Sequence, residues 1–201
     1  MSPKSDIEFE KIRKESKRKI LDTALRLFGE KGFASTSISM IAKEAGISKG
    51  LMYNYFDSKD ELLQAVLSDM VEHMEQPYRE MMSIENSFEM LGKMIDFTVE
   101  FMKSHKEFNV LMTSLGLQKE SHPFIKQIVD NKIKSWVPIY QKRLEDIGVE
   151  DPETELLILA AAMDGMAVQY LTTEDDSHLE NVARALKKRY KLDQNIKSKD
   201  Q

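Results

Sequence analysis

Residues 35–63 read STSISMIAKEAGISKGLMYNYFDSKDELL, and this stretch decides the fold. Its apolar residues in the first part fall at the i, i+3, i+4 and i+7 positions of a helix: Ile38, Ile41, Ala42 and Ala45. Gly46 follows where this helix should end in a left-handed cap, a conformation that glycine adopts at little cost. Ser48 then offers an N-cap oxygen to a second short helix. The stretch predicts two short helices joined by a tight turn and followed by a third helix.

The second short helix is expected to have an inner and an outer face. Three of its residues are predicted to pack inward: Leu51, Met52 and Tyr55. Four others are predicted to face outward: Lys49, Gly50, Tyr53 and Asn54. Ala42 lies where the two helices should cross most closely, so a larger side chain there would hold them apart. The main use of this layout is to place the second helix in the DNA major groove, although the Ala42–Gly46 spacing also occurs in unrelated helical hairpins.

The residues on either side of this stretch help to distinguish a DNA-binding domain from an unrelated helical hairpin. Upstream, residues 18–33 read RKILDTALRLFGEKGF, an amphipathic pattern closed by Gly29 and Gly32, with one apolar face formed by Ile20, Leu21, Ala24, Leu25 and Phe28. Downstream, residues 53–62 read YNYFDSKDEL, which ends one helix and caps the next. From Ile20 to Leu63 the chain resembles the TetR family of bacterial transcriptional regulators almost without interruption. The match covers roughly a quarter of the chain; the remainder is similar only in length and helical character.

The resemblance implies an all-α protein with two domains. We expect an N-terminal three-helix helix-turn-helix domain over residues 1–60, with an N-terminal extension at 1–15. A C-terminal helical domain for ligand binding and dimerisation is expected over residues 61–192. Residues 193–201 are mostly polar and charged, so we expect a disordered tail.

Composition agrees with a DNA-binding end and an acidic remainder. The chain has 201 residues and a net charge of −5, but residues 1–60 carry twelve Lys and Arg against nine Asp and Glu. This basic excess lies with the helix-turn-helix, where phosphate attraction requires it. The absence of cysteine excludes disulfides and thiolate metal sites. With no signal peptide or run of about eighteen uncharged apolar residues, we expect a cytoplasmic, nucleoid-associated protein without a membrane partner.

The outward-facing residues are expected to contact either the phosphates or the base edges of DNA. By resemblance to the family, the phosphate contacts are Thr36, Tyr53, Tyr55 and Lys59. Ser37 and Thr36 stand at a helix N-terminus, where hydroxyls and free N–H groups favour phosphate. Base readout is expected from six residues, with Lys49 suited to guanine and Asn54 to adenine: Ser48, Lys49, Gly50, Leu51, Met52 and Asn54. Phe56 is expected in the core, and Tyr55 is open between core and surface. The cations before residue 20 could form an arm in the minor groove, but a solvated helix with i, i+4 ion pairs is favoured.

The larger domain is expected to hold a small-molecule effector. Met and Phe recur over broad helical arcs, which suits a deformable lining for a hydrophobic or amphipathic ligand, although such stripes are more often plain core. The expected lining is Met70, Met74, Met94, Phe97, Phe101, Phe108, Met112, Trp136, Tyr140 and Met163. Pro138 should kink or divide its helix. An effector beside the helix over residues 60–76 would tilt that helix and change the spacing of the two reading heads.

The most apolar helix, Glu153–Leu171, is expected to form the dimer contact. With the next helix it would build a four-helix bundle between subunits, the contact usual in this family. The expected interface is Leu156, Ala160, Met163, Ala167, Tyr170, Leu179, Val182 and Leu186. Burial of these residues inside one chain is the alternative. Asp164 within this helix needs a polar partner, which the sequence does not identify.

Catalytic patterns are lacking. The four histidines, at positions 73, 105, 122 and 178, have no metal-ligand spacing, and His73 is expected on the surface. No glycine-rich phosphate loop, nucleophile elbow or His-Glu-x-x-His pattern occurs. The sequence therefore predicts no enzyme, metal or cofactor, but a homodimeric repressor that a small effector releases from an inverted-repeat operator. A helical protein-interaction module, and an activator or dual regulator with the same DNA-binding domain, are the alternatives.

Overall fold

A computed structural model describes residues 6–117 and 123–192. Within these ranges every regular element is a helix: α1 Asp6–Lys31, α2 Ile38–Glu44, α3 Lys49–Tyr53, α4 Lys59–Met82, α5 Ser87–Ser104, α6 Lys106–Gly116, α7 Pro123–Asp146, α8 Pro152–Thr173 and α9 Asp176–Arg189. The all-α prediction is confirmed. The tail predicted over residues 193–201, the first five residues of the predicted extension, and His122 lie outside the described residues.

Contacts divide the chain into two units, with the boundary between Met74 and Glu75 inside α4. The boundary expected at residue 60 lies too early, because the first half of α4 contributes buried residues to the first unit: Leu62, Leu63, Val66 and Leu67. On α1 the buried residues are Ile20, Leu21, Ala24, Leu27 and Phe28. Leu27, rather than the predicted Leu25, completes this apolar face. The helix ends at Gly32, whose φ of +81° suits glycine.

Local caps fix the α2–α3 pair. The Ser37 hydroxyl accepts a hydrogen bond from the Met40 N–H at 3.2 Å, and the Ser48 hydroxyl accepts one from the Leu51 N–H at 3.1 Å. Between them Gly46 has a φ of +67°, as predicted for the left-handed cap. Ala42 is fully buried between the helices. The sequence therefore predicts both helices and the turn that joins them.

The second unit is built around a core drawn from the end of α4 and from α5, α7, α8 and α9. Its buried residues are Met81, Met90, Leu91, Met94, Ile95, Tyr140, Leu144, Leu159, Ala183, Leu186, Tyr190 and Leu192. A smaller cluster joins Met102, Met166 and Leu179. Both clusters use helix faces that are apolar at i, i+3 and i+4 spacing, which buries them against neighbouring helices.

Two prolines lie inside continuous helices. Pro77 is within α4 and Pro138 within α7. Of the two outcomes expected at Pro138, a kink or a division, the division does not occur, since α7 continues to Asp146. A proline removes one helical hydrogen bond, but Tyr140 and Leu144 beyond it are buried in the core and keep the following turns helical.

The outer face of α8 is largely apolar and is uncovered in the single chain, with the exposed Asp164 in line with Leu157 and Val168. Leu157 is 67% exposed, Ile158 46% and Val168 49%. By length and composition, α8 is also the one helix of the described part that could cross a membrane. Asp164 lies midway along it and is exposed, and a carboxylate at the centre of a bilayer is costly. The face therefore suits another protein surface better than lipid.

Candidate nucleic-acid interface

One side of the α3 helix packs into the interior of the first unit, which leaves its other side exposed to solvent. Met52 is fully buried, and Phe56 just after the helix is 3% exposed. Because the Ser48 cap also fixes the first turn, the orientation of the helix is set by its own sequence. Phe56 is a core residue, as expected.

The outer side of α3 carries polar groups that the described contacts do not use to hold the fold. Lys49, Gly50, Tyr53 and Asn54 are exposed, as the helical period predicts. The Lys49 ammonium lies 6.0 Å from the centre of the Tyr53 ring, so the two side chains share one patch. Lys49 offers donors that suit guanine O6 and N7, and Asn54 offers the donor and acceptor that suit adenine.

Two residues assigned to DNA contact are interior. The side chain of Met52 is fully buried and so cannot reach a base edge, which corrects its predicted role in base readout. Leu51, by contrast, is 38% exposed rather than buried. Thr36 is 1% exposed, and its hydroxyl donates to the carbonyl oxygens of Leu27 at 3.1 Å and Gly32 at 2.9 Å. Thr36 therefore ties the α1–α2 connection together instead of offering its hydroxyl to phosphate.

Lys59 has an internal role that the sequence did not reveal. Its ammonium donates to the carbonyl oxygens of Phe33 at 2.8 Å, Ala34 at 3.3 Å and Thr36 at 3.0 Å. It also lies 4.3 Å from the centre of the Phe33 ring. An ammonium has three N–H donors, and all three are used here. The expected phosphate contact through the Lys59 side chain is therefore replaced by a structural one.

Ser37 and Tyr55 remain open to the predicted phosphate contacts. Ser37 is exposed although its hydroxyl caps α2. Tyr55 is half-buried, with its ring 6.4 Å from that of Phe56. A phenol held in this way can pack on the domain and still present its hydroxyl to a phosphate oxygen.

The structure leaves room for a Cβ atom at Gly50. A Cβ added at this position would meet Ser48 Oγ at 4.0 Å as its nearest atom, and the backbone there does not need a positive φ. Neither packing nor conformation within the described chain therefore explains a glycine in this helix. A close approach by something outside the chain would explain it.

Arg26 holds α1 against α2. Its guanidinium donates to Glu44 at 2.7 Å and to Glu30 at 3.1 Å. These hydrogen bonds, that to Glu44 first, raise the pKa of Arg26. The pairing balances the carboxylate of Glu44, which would otherwise repel phosphate from the exposed side of α2.

The N-terminal part of α1 is a solvated helix with i, i+4 ion pairs. Lys11 lies 3.9 Å from Glu15, and Lys14 lies 3.5 Å from Glu10. This agrees with the favoured interpretation of the extension, as opposed to an extended arm.

The predicted effector residues do not all lie together. Met70 and Met74 belong to the first unit, whereas the other eight belong to the second. Met94 and Tyr140 are core residues, and Phe97, Trp136 and Met163 pack against that core. Three of the expected residues are half-buried on α5 and α6: Phe101, Phe108 and Met112. The Phe101 ring lies 6.4 Å from Phe97 and 5.7 Å from Phe108, so one aromatic row does form.

Sequence reasoning missed Tyr78. Its ring stacks on Trp136 at 4.5 Å, and burial raises the pKa of both Tyr78 and its neighbour Tyr140. The signal available in the sequence was the i, i+4 spacing, which places Tyr78 on the same helix face as Met74. Pro77 obscured it, because a proline within a helical pattern often ends or kinks the helix.

The predicted dimer residues mostly face the interior of their own chain. Leu179 and Leu186 are buried, and four others pack against the two clusters: Leu156, Met163, Ala167 and Val182. Tyr170 also packs there, whereas Ala160 is exposed. Burial within one chain therefore accounts for Leu179 and Leu186, while the other six predicted residues keep exposed surface in the single chain.

His73 is exposed, as expected, with 54% of its side chain accessible. Over the described ranges no group of three or more acidic or histidine side chains is placed to hold a metal.

The family match lies within the first unit of the chain. The family model described as bacterial regulatory proteins, tetR family, matches residues 20–66. The uncharacterised HTH-type transcriptional regulator TtgW of Pseudomonas putida is 31% identical over 53% of this chain and 78% of its own length. YerO of Bacillus subtilis (strain 168), also an uncharacterised HTH-type transcriptional regulator, is 39% identical over 56% of this chain but 40% of its own length. The chain thus spans less than two thirds of the first curated relatives that it matches.

Solved structures share the fold over nearly the whole chain. A transcriptional regulator from Saccharomonospora viridis in complex with choline has a TM-score of 0.75 at 21% identity, covering 90% of this chain and 97% of that one. The regulator FadR of Bacillus subtilis in complex with stearoyl-CoA has a TM-score of 0.68 at 19% identity, covering 86% and 96%. At such identities the likeness concerns the fold.

Proposed function

Because the chain belongs to the TetR family of bacterial transcriptional regulators, we propose that it reads an operator through α3 and represses transcription as a homodimer that a small effector releases. Its relatives are transcriptional regulators and not enzymes. It would act in the bacterial cytoplasm, on the nucleoid.

One observation carries the DNA-reading role. The inner side of α3 is fully buried at Met52, while Lys49, Gly50 and Asn54 project outward with no folding role that the described contacts explain. A chain selected only to fold would gain from a better helix former than glycine at position 50. We assign base readout to the outer residues Ser48, Lys49, Gly50, Leu51 and Asn54, and phosphate contact to Ser37, Tyr53 and Tyr55.

The dimer would form through the outer face of α8. Leu157, Ile158 and Val168 are exposed there, and Ala161 and Gly165 on the same face would let a second helix approach closely. A large exposed apolar face marks an interaction site. Two-fold pairing of this face would present two α3 helices to an inverted repeat.

A small hydrophobic or amphipathic effector would bind in the second unit. Support comes from the aromatic row of Phe97, Phe101 and Phe108 and from the stacked pair Tyr78 and Trp136. Neighbours in fold were solved with choline, a small organic cation, and with stearoyl-CoA, which is amphipathic. Of the residues first assigned to this lining, Met94 and Tyr140 are core in the present state.

Selection from random-sequence DNA, followed by gel shift, tests the proposal. We expect enrichment of an inverted repeat with half-sites about one helical turn apart or somewhat more. Affinity should fall steeply as salt is raised, since phosphate contacts release counterions. Absence of any enriched repeat, with or without cell extract as a source of effector, would refute the DNA-reading role and favour a protein-interaction module.

Choline and a long-chain acyl-CoA serve as first probes of the effector role. A ligand that binds the free form should raise its melting temperature and weaken the gel shift, with a coupling of about 1–3 kcal/mol. A ligand that raises the melting temperature and leaves the operator affinity unchanged would contradict release by that ligand.

A further inference from the structure

A polar contact between α1 and α4 contains a histidine and involves none of the residues assigned to DNA contact. The Arg18 guanidinium donates from Nη1 to Asp69 Oδ2 at 2.9 Å, and the same nitrogen lies 3.0 Å from His73 Nε2. Its Nε also pairs with Asp22 on α1. One arginine thus joins a histidine and a carboxylate of α4 to α1.

The partners of His73 define its protonation state. Its Nδ1 lies 2.6 Å from the Asp69 carbonyl oxygen, which only accepts hydrogen bonds, so Nδ1 must carry the proton. Its Nε2 faces a guanidinium, which only donates, so Nε2 must present a lone pair. The neutral imidazole with its proton on Nδ1 is the form that satisfies both contacts.

We propose that His73 makes this α1–α4 contact sensitive to protonation, so that uptake of a proton on Nε2 loosens α1 from α4. A proton on Nε2 would face the N–H of Arg18 and would add a second cation competing for Asp69. The groove around His73 is lined by Lys14, Lys17 and Arg18 from α1 and by Asp69 and Glu72 from α4. The Asp69 carboxylate also lies 3.5 Å from His73 Nδ1, and Asp22 pairs with Arg18, so an imidazolium would compete with the guanidinium for the same Asp69 carboxylate.

The consequence for regulation rests on the proposed DNA-reading function. Arg26 on α1 ties down α2, and α4 continues into the second unit. A looser α1–α4 contact would therefore leave the helix-turn-helix less firmly held in the geometry that fits an operator. Operator affinity should fall as the pH is lowered and His73 takes up a proton on Nε2.

The variant His73→Gln tests this, because glutamine keeps a polar amide and does not titrate. Between about pH 8 and pH 5.5 we expect the unmodified protein to lose roughly two- to fivefold more operator affinity than His73→Gln, the range for partly exposed charge contacts. His178→Gln is the matched control, since His178 is also exposed, pairs with Asp175 at 3.9 Å, and lies on α9. Identical pH profiles for the unmodified protein and His73→Gln would overturn the proposal, as would a change produced by His178→Gln alone.

A second measurement needs no DNA. Urea unfolding of the full chain with Arg18→Met, His73→Ala and both changes gives the coupling between the two side chains. We expect a coupling at pH 8 that disappears at pH 5.5. Equal coupling at both pH values, or none at pH 8, would overturn the proposal. A coupling that is lost at low pH in a chain that binds no DNA would instead refute the proposed function and leave the proton-sensitive contact standing.

Discussion

Two lysines near the reading helix have opposite environments. The Lys49 ammonium is exposed above Tyr53, whereas the Lys59 ammonium donates to three carbonyl oxygens. The same charge should therefore serve recognition at position 49 and folding at position 59. This difference separates DNA affinity from stability within one small domain.

Lys49→Met should weaken operator binding by about 1–3 kcal/mol, the value for a well-placed base contact, and change the unfolding free energy by no more than about 0.5 kcal/mol. Lys59→Met should lower the unfolding free energy by about 1.5–3 kcal/mol, because hydrogen bonds from a charged donor are lost. Gel shift and urea unfolding of both variants check this. Equal stability loss in the two would contradict the assignment.

A substitution at Gly50 should raise the stability of the fold while lowering operator affinity. Gly50→Ala should leave the fold intact and add up to about 1 kcal/mol of stability, since alanine is the better helix former and meets no atom closer than 4.0 Å. Operator affinity should nonetheless fall, because the methyl group would stand between α3 and the DNA. Thermal unfolding and gel shift measure the two effects. Unchanged affinity would remove Gly50 from the contact surface.

The sequence predicted some of these roles and not others for a physical reason. The helical period places Met52 inward and Lys49 outward, and the structure agrees. Family resemblance placed Thr36 and Lys59 on the phosphates, and for Thr36 the position at a helix N-terminus pointed the same way. Their actual partners are backbone carbonyls of the α1–α2 connection, and a sequence pattern does not show where those carbonyls point.

At the level of elements, the α2–α3 pair was predictable because its signals are local. Ser37, Gly46 and Ser48 each act on residues within four positions. The α8 helix was not predictable in the same way. Its apolar residues surround the axis, so the sequence predicted a dimer contact, with burial inside one chain as the alternative, but did not show which arc packs inside its own chain.

Ala42 tests the crossing of α2 and α3. It is 2% exposed, so Ala42→Leu should overpack the contact and lower the unfolding free energy by about 1–3 kcal/mol, with loss of operator binding. Ala185→Leu, at an exposed position on α9, is the matched control and should change neither. Urea unfolding and gel shift report the result. A stable and active Ala42→Leu protein would mean that the crossing leaves room for larger side chains.

At the level of the whole molecule, α4 runs through the boundary between the two units, so the proposed DNA-reading and effector-binding functions would share this helix. The proposed repressor needs a second copy to match an inverted repeat. The surface available for that copy is the outer arc of α8, since the inner arc is occupied by the core. Because the outer arc of α8 is the free one, a substitution in that arc should break the dimer, whereas one in the inner arc should not do so selectively.

Leu157→Glu should give a folded monomer, because it places a charge in the proposed contact while the side chain is already 67% exposed in the single chain. Val71→Glu, at a 57% exposed position on α4, should leave the dimer intact. Leu179→Glu, in the arc first assigned to the dimer, should instead unfold the chain, because Leu179 is fully buried. Sedimentation and circular dichroism distinguish these outcomes. Since a monomer engages one half-site at a time, the affinity of Leu157→Glu for the complete operator should fall by about 10²-fold or more. A dimeric Leu157→Glu protein with full affinity would move the subunit contact away from α8.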